Sequence, residues 1–122
     1  MAVHNELGEL GERLAANFLQ AAGYTIVERN WRVNRAEIDI IARTGETLVF
    51  VEVKTRSSKH FGPPELFVTK RKMRLLAGAA AAYMQAVGHE WALRFDVVTV
   101  VMGQGRAPEV VHFEDAFFPG LP

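Results

Sequence analysis

The stretch from Glu37 to Arg56 constrains this chain most. It reads Glu-Ile-Asp-Ile-Ile-Ala-Arg, a Thr-Gly-Glu turn, then Thr-Leu-Val-Phe-Val-Glu-Val-Lys-Thr-Arg. Two β-branched, apolar runs around a glycine-containing turn predict a β-hairpin rather than a helix. With Gly45-Glu46 as a two-residue loop, glycine first as a type II′ turn requires, Thr44 faces Thr47, Asp39 faces Glu52 and Glu37 faces Lys54. All four charges then share one face. Opposed residues have Cβ atoms about 4.5–5.5 Å apart, so two carboxylates meet on a largely apolar hairpin. Desolvation and mutual repulsion would raise one pKa, whereas a divalent cation keeps both groups ionised. Hard oxygen ligands suit Mg²⁺ or Mn²⁺. A slip of one residue would send Asp39 and Glu52 to opposite faces, so the register decides whether a site exists. Glu37 supports a second ion or pairs with Lys54, and the pairing is the expectation.

A chain of 122 residues suits one compact domain over 1–122, and 49% hydrophobic with 23% charged residues is ordinary globular usage. The absence of cysteine excludes disulfides, zinc-thiolate sites and thiol catalysis and fits a reducing cytoplasm. The start lacks a basic and then apolar leader pattern, and no apolar run reaches membrane-spanning length. The expected location is therefore cytoplasmic, with no membrane partner.

Net charge is zero, which taken alone argues against a nucleic-acid partner. Its distribution argues the other way. Residues 29 to 74 carry eleven Lys and Arg against five acids, a net of +6, and the segments on either side are each at −3. Arg29, Arg32 and Arg35 approach the hairpin from its N-terminal side, and Arg56 and Lys59 follow it. Lys70, Arg71, Lys72 and Arg74 open a helix whose N-terminal dipole is already positive, which favours an anion such as a phosphate backbone. These nine side chains are the candidate nucleic-acid contacts. The alternative is an ordinary solvated face.

Elsewhere, residues 5 to 22 read as an amphipathic helix with Asn5 as N-cap, Leu7, Leu10, Leu14 and Phe18 as its buried stripe, and Gly23 as its end. Tyr24 to Trp31 reads as a strand with a polar exit from Asn30 to Arg35, Trp31 packing on the core or an edge, with stacking on a base or a guanidinium as the alternative. Val49, Val51 and Val53, joined by Ile38 and Ile40, form an apolar face for a helix to cover, while Leu48, Phe50 and Ile41 continue the core beneath the acids. His60 to Thr69 contains Gly62-Pro63-Pro64 and reads as a loop beside the site, with Lys59, His60 and Phe61 as substrate contacts. Thr69 caps a helix over 70–87, with Met73, Leu76, Ala80 and Tyr83 as its stripe and Gly88 at its end. Strands follow over 91–101 and 110–113. Asp96, at a strand start, reads as a structural hydrogen-bonding or ion-pairing group. The four histidines show no ligand spacing and receive no catalytic role. Phe117-Phe118-Pro119 packs on the sheet or forms a dimer surface.

The pair Glu37-Ile38-Asp39 and Val51-Glu52-Val53-Lys54 resembles the PD-(D/E)xK nuclease signature. Gly11-Glu12, Gly23-Tyr24, Arg29-Asn30-Trp31-Arg32, the run Leu48 to Arg56, Phe61-Gly62 with Pro64, and Arg94 to Val98 together resemble the small bacterial YraN-like proteins, across roughly residues 8 to 118. Those relatives usually have glycine before the Glu-Ile-Asp, where this chain has Ala36. If that position needs positive φ, alanine is strained there.

The resemblance implies an α/β fold with a mixed central β-sheet flanked by helices, restriction-endonuclease-like and related to archaeal Holliday-junction resolvases. It implies a metal-dependent endonuclease acting on DNA. Asp39, Glu52 and the Val53 carbonyl would hold Mg²⁺ or Mn²⁺, and Lys54 would stabilise developing charge or orient the attacking water. Glu12 matches a metal-site glutamate on the first helix; the alternative is a helix-surface carboxylate. Cleavage of a four-way junction would call for a homodimer. Two other readings stay open: an inactive nucleic-acid-binding accessory protein, and an interaction module whose charges form a structural ion-pair network.

Overall fold

The computed structural model describes residues 2–57, 68–103 and 105–117. In order the chain forms α1 (Ala2–Ala21), β1 (Thr25–Val33), β2 (Ala36–Thr44), β3 (Thr47–Arg56), α2 (Lys70–Val87), β4 (Leu93–Val101) and β5 (Glu109–Phe113). The five strands make one sheet in sequence order. Neighbours are antiparallel except β3 and β4, which run parallel. A parallel pair needs a long crossover, and α2 lies within it. The result is the expected mixed α/β sheet with a helix on each face, consistent with a restriction-endonuclease-like fold.

On one face, Ala15, Ala16 and Leu19 of α1 pack on Ile40, Ala42, Val49, Val51, Val98 and Val100. On the other, Leu76, Ala79, Ala80 and Tyr83 of α2 pack on Ile38, Ile41, Leu48, Phe50, Phe95 and Val97. Trp31 is a packing residue, edge-on to Tyr83 with ring centroids 5.2 Å apart. Phe117 is buried against Phe95, while Phe118 and Pro119 lie outside the described residues. The bounds of α2 follow from its caps. The Thr69 hydroxyl accepts the Lys72 N–H, and Gly88 leaves the helix in the left-handed region at φ 73.

Four expectations need correction. First, α1 begins at Ala2, so Asn5 lies within it and is not its cap. Second, most of its expected apolar stripe faces outward: Leu7, Leu10 and Phe18 are exposed, Leu14 packs partly buried on the core, and the helix buries Gly11, Ala15, Ala16 and Leu19. Size decides this. A Cβ at Gly11 would overlap the Thr55 side chain, so only the small-residue face lets α1 approach β3 closely. Third, Asn30 to Arg35 is no irregular exit. The strand runs to Val33, pairs Val33 with Ala36, and turns through Asn34, whose φ is 54. Asn tolerates that left-handed geometry, and Ala36, buried in β2, is not among the positive-φ residues. Fourth, Ile38 belongs to the α2 side with Ile41, whereas Ile40 lies on the α1 side. Alternation therefore breaks around Asp39, opposite Asn30, which is itself left-handed at φ 53.

Candidate active site

The break marks a fork in the sheet. The hairpin register is the expected one, Thr44 against Thr47 through to Ile40 against Val51, but paired residues stop there. β2 continues to pair with β1 down to Ala36, and β3 with β4 out to Arg56. The two halves of the sheet thus part immediately beyond Ile40 and Val51, and Asp39 and Glu52 are the first residues past the last pair.

Asp39 closes the fork with its side chain. Its Oδ2 accepts the Val53 N–H at 2.8 Å, taking the place of a β2 carbonyl. Within a strand the N–H and C=O of one residue point to the same edge, so the Val53 carbonyl is also directed into the fork. Glu52 is 3% exposed. Its Oε2 receives Lys72 Nζ at 2.7 Å and Lys54 Nζ at 3.3 Å, while its Oε1 is buried without a hydrogen-bond partner among the described residues. Burial first, then the Glu52 carboxylate, push the Asp39 pKa up to about 8 against the lowering effect of the Val53 N–H. Burial pulls the Lys72 ammonium down, but the Glu52 hydrogen bond and the charges of Glu52, Asp39 and Glu37 outweigh it and the pKa is raised.

Asp39, Glu52, Val53, Lys54, Arg56 and Glu12 line one cleft of about 310 Å³, together with Lys72. Glu12 is brought there by the close α1 approach at Gly11. Its Oε1 accepts the Asn30 amide at 2.7 Å, and burial raises its pKa, with Glu37 and Glu52 adding to the shift. Glu37 does not pair with Lys54. It meets Arg32 at 3.4 Å, because the fork separates the two positions that a continuous hairpin would oppose.

The other candidate contacts are spread more widely. Arg35 lines a second depression of about 220 Å³ that shares Asp39 and Lys72 with the cleft, and with Arg74 it borders an apolar groove of about 380 Å³ over α2. Arg29, Lys70 and Arg71 are exposed, and none of them lines the cleft. Lys59, His60 and Phe61 lie outside the described residues. Asp96 is structural. Fully buried, it accepts Arg94 Nε and Nη2 at 2.8 and 2.7 Å and the Asp115 N–H at 2.9 Å, and pairs with His112 Nε2 at 2.6 Å.

Two residues gain roles that the sequence reading did not give them. Asn30 orients Glu12. Lys72, read only as a phosphate contact, joins the carboxylates. One signal was available: Lys72 is the third residue of α2, where a capping box places Glu or Gln, and no acid stands in that first turn.

The donor chemistry fits a hard divalent cation. It consists of two carboxylates, one with a buried oxygen that has no partner among the described residues, and the Val53 carbonyl directed into the fork. Among the described residues no three Asp, Glu, His or Cys side chains converge on one point.

The chain matches the family described as "Uncharacterised protein family UPF0102" over residues 11–100. A UPF0102 protein of Flavobacterium psychrophilum is 47% identical over 118 residues, covering 97% of this chain and 98% of its own. Another from Geobacter metallireducens is 44% identical over 119 residues, 96% of this chain and 97% of its own. A third, from Rhodococcus jostii, is 45% identical over 118 residues, 96% and 100%. The ordered motifs from Gly11-Glu12 to Arg94–Val98 therefore mark family membership: this chain belongs to UPF0102, the YraN family.

Proposed function

We propose that this protein is a metal-dependent endonuclease that hydrolyses phosphodiester bonds in DNA, with Mg²⁺ or Mn²⁺ as its cofactor. The observation that carries this reading is the pair of first residues past the sheet fork, Asp39 and Glu52, the latter with its Oε2 held by two lysines and its buried Oε1 without a partner among the described residues. Burying a carboxylate oxygen without a partner costs about 1–3 kcal/mol or more, and perturbed carboxylates in a cleft mark functional sites.

Asp39, Glu52 and the Val53 carbonyl would hold the ion, with Glu12 at the rim of the same cleft. When bound, a divalent cation supplies polarisation of the scissile phosphate and a water of lowered pKa. The remaining work falls to this chain's own side chains. Lys54, 3.3 Å from Glu52 Oε2, stands on the strand beside the carboxylates and neutralises charge developing on the phosphate. Arg35, in the depression that shares Asp39 and Lys72 with the cleft, and Arg56, in the cleft itself, would hold the substrate backbone near the cleaved bond. Both depressions are open, as an internal cleavage site requires.

One observation favours the second reading, an inactive nucleic-acid-binding protein. Lys72 already satisfies Glu52, so the carboxylates are not without a positive partner. Cleavage of end-labelled four-way, flapped, nicked and single-stranded DNA, in Mg²⁺, Mn²⁺ or chelator, separates the two. Under the nuclease reading, metal-dependent products appear with the wild type and vanish in Asp39→Ala and Lys54→Ala. Binding of all substrates with no product from any would establish the accessory protein instead. A four-way substrate cut symmetrically would also point to a homodimer.

A further inference from the structure

Glu52 Oε2 is shared by two ammonium groups that reach it from different layers of the fold. Lys54 comes from β3 itself, with a side chain 20% exposed, at 3.3 Å. Lys72 comes from the first turn of α2, with a side chain 43% exposed, at the shorter distance of 2.7 Å. Asp39 and Glu52 carry two negative charges and the two lysines two positive ones, so the quartet is neutral when all four are ionised. A divalent cation on Asp39 and Glu52 would bring two further positive charges to the carboxylate that Lys72 now holds. Like charges at such range repel strongly in a half-buried site. The side chain able to leave is the more exposed one, whose backbone stays fixed by the Thr69 cap.

We propose that Lys72 is the resident counter-ion of the site: its ammonium holds Glu52 until a divalent cation arrives, and the cation displaces it toward the substrate's phosphates. Lys72 and the cation therefore compete for Glu52. This rests on the metal-site reading of Asp39 and Glu52, and it adds a role for a helix residue outside the acid-x-lysine motif. It also accounts for a lysine at the third helical position, which is unfavourable beside the positive end of the helix dipole.

The test is Mn²⁺ titration by calorimetry without DNA, on wild type, Lys72→Met and Asp39→Asn, with amine acylation of the wild type read by mass spectrometry. Removing the competitor should tighten Mn²⁺ binding by roughly tenfold, inside the range of about 5- to 150-fold that coupled sites span. In the wild type, Mn²⁺ should raise the acylation of Lys72 several-fold and leave its exposed neighbour Lys70 unchanged. Equal or weaker Mn²⁺ binding by Lys72→Met, or Lys72 acylation that stays level or falls with Mn²⁺, overturns the proposal. If Asp39→Asn meanwhile loses Mn²⁺, the metal site stands and only the counter-ion role fails. If neither the wild type nor Lys72→Met binds Mn²⁺, or Asp39→Asn binds it as well as wild type, both fall. Should Lys72→Met not fold, the acylation of the wild type decides alone.

Discussion

Asp39→Asn should stabilise the protein in chelator and, under the proposed metal site, abolish Mn²⁺ binding. The carboxyl has an ordinary value of 3.8 and a folded value of about 8, raised by burial and by Glu52. A carboxyl whose folded pKa lies above its unfolded one has its full stabilising effect below the unfolded value, near pH 4, and loses it as pH rises toward 8. At pH 7 the linked cost is roughly 4 kcal/mol at full strength. Water entering the open cleft screens the pair and reduces this, so about 2–4 kcal/mol is expected. Asparagine keeps an oxygen for the Val53 N–H and drops the charge. For a chain of 122 residues that gain corresponds to a melting temperature higher by roughly 8–15 °C.

The assay is thermal unfolding of wild type and Asp39→Asn in chelator from pH 4.5 to 8.5, repeated with Mn²⁺. In chelator the gap should be small at the acid end, widen as pH rises and level off near pH 8. With Mn²⁺ at a hundred times its Kd the wild type alone gains about 2.7 kcal/mol, and the gap should narrow by that amount, to about 1 kcal/mol or less. An Asp39→Asn protein no more stable than wild type at pH 8 in chelator, or a gap equally wide at pH 4.5, would refute the reasoning, because burial beside Glu52 would then not be what strains Asp39.

Two further predictions concern helix packing and a buried ion pair. Gly11→Ala should destabilise by about 1–3 kcal/mol in urea unfolding despite alanine's better helix propensity, since its Cβ overlaps the Thr55 side chain; Gly11→Ala with Thr55→Ala should recover part of the loss. Asp96→Ala should cost about 3–5 kcal/mol, as expected when one partner of a buried ion pair is removed and Arg94 is left behind. Burial alone would raise the Asp96 pKa, but the hydrogen bonds from His112, Arg94 and the Asp115 N–H outweigh it and lower it. Its contribution is therefore present above the unfolded value and lost as pH falls through the folded one, so Asp96→Asn should show a flatter acid limb than wild type in the same unfolding measurement.

What was legible in the sequence depended on whether a local signal decided the outcome. The hairpin register was, because period-two alternation and Gly45 leave one arrangement that buries both apolar faces. So was α2, because Thr69 and Gly88 mark its ends chemically. The face of α1 was not. Hydrophobicity selects Leu7, Leu10, Leu14 and Phe18, but the sheet accepts only the face whose small residues clear Thr55, a tertiary constraint with no trace in periodicity. The fork was hidden for a similar reason. Alternation in β2 continues through Ile38 and Ile40 on paper, and only the loss of pairing beyond Ile40 turns Ile38 to the other core. The same event took Glu37 from Lys54 and gave it to Arg32. Lys72 became legible as a site residue only once the α2 N-terminus was seen to abut Glu52.

The fork also explains the spacing that the sequence displays. In a continuous sheet β2 would consume both the N–H and the C=O of Val53, and no backbone group would remain for a ligand. Ending the pairing at Ile40–Val51 releases them. Asp39 must then be the first residue past the last pair, because only there can its short side chain reach the Val53 N–H and leave the carbonyl unclaimed. Glu52 must be the residue opposite, so that both carboxylates look into the same opening. Lys54 must follow by two, because side chains on a strand return to the same face with period two. An acid, a hairpin's length, then acid-x-lysine is the pattern that this geometry dictates. The intervening Val53 contributes backbone to the site while its side chain packs on the α1 side of the core.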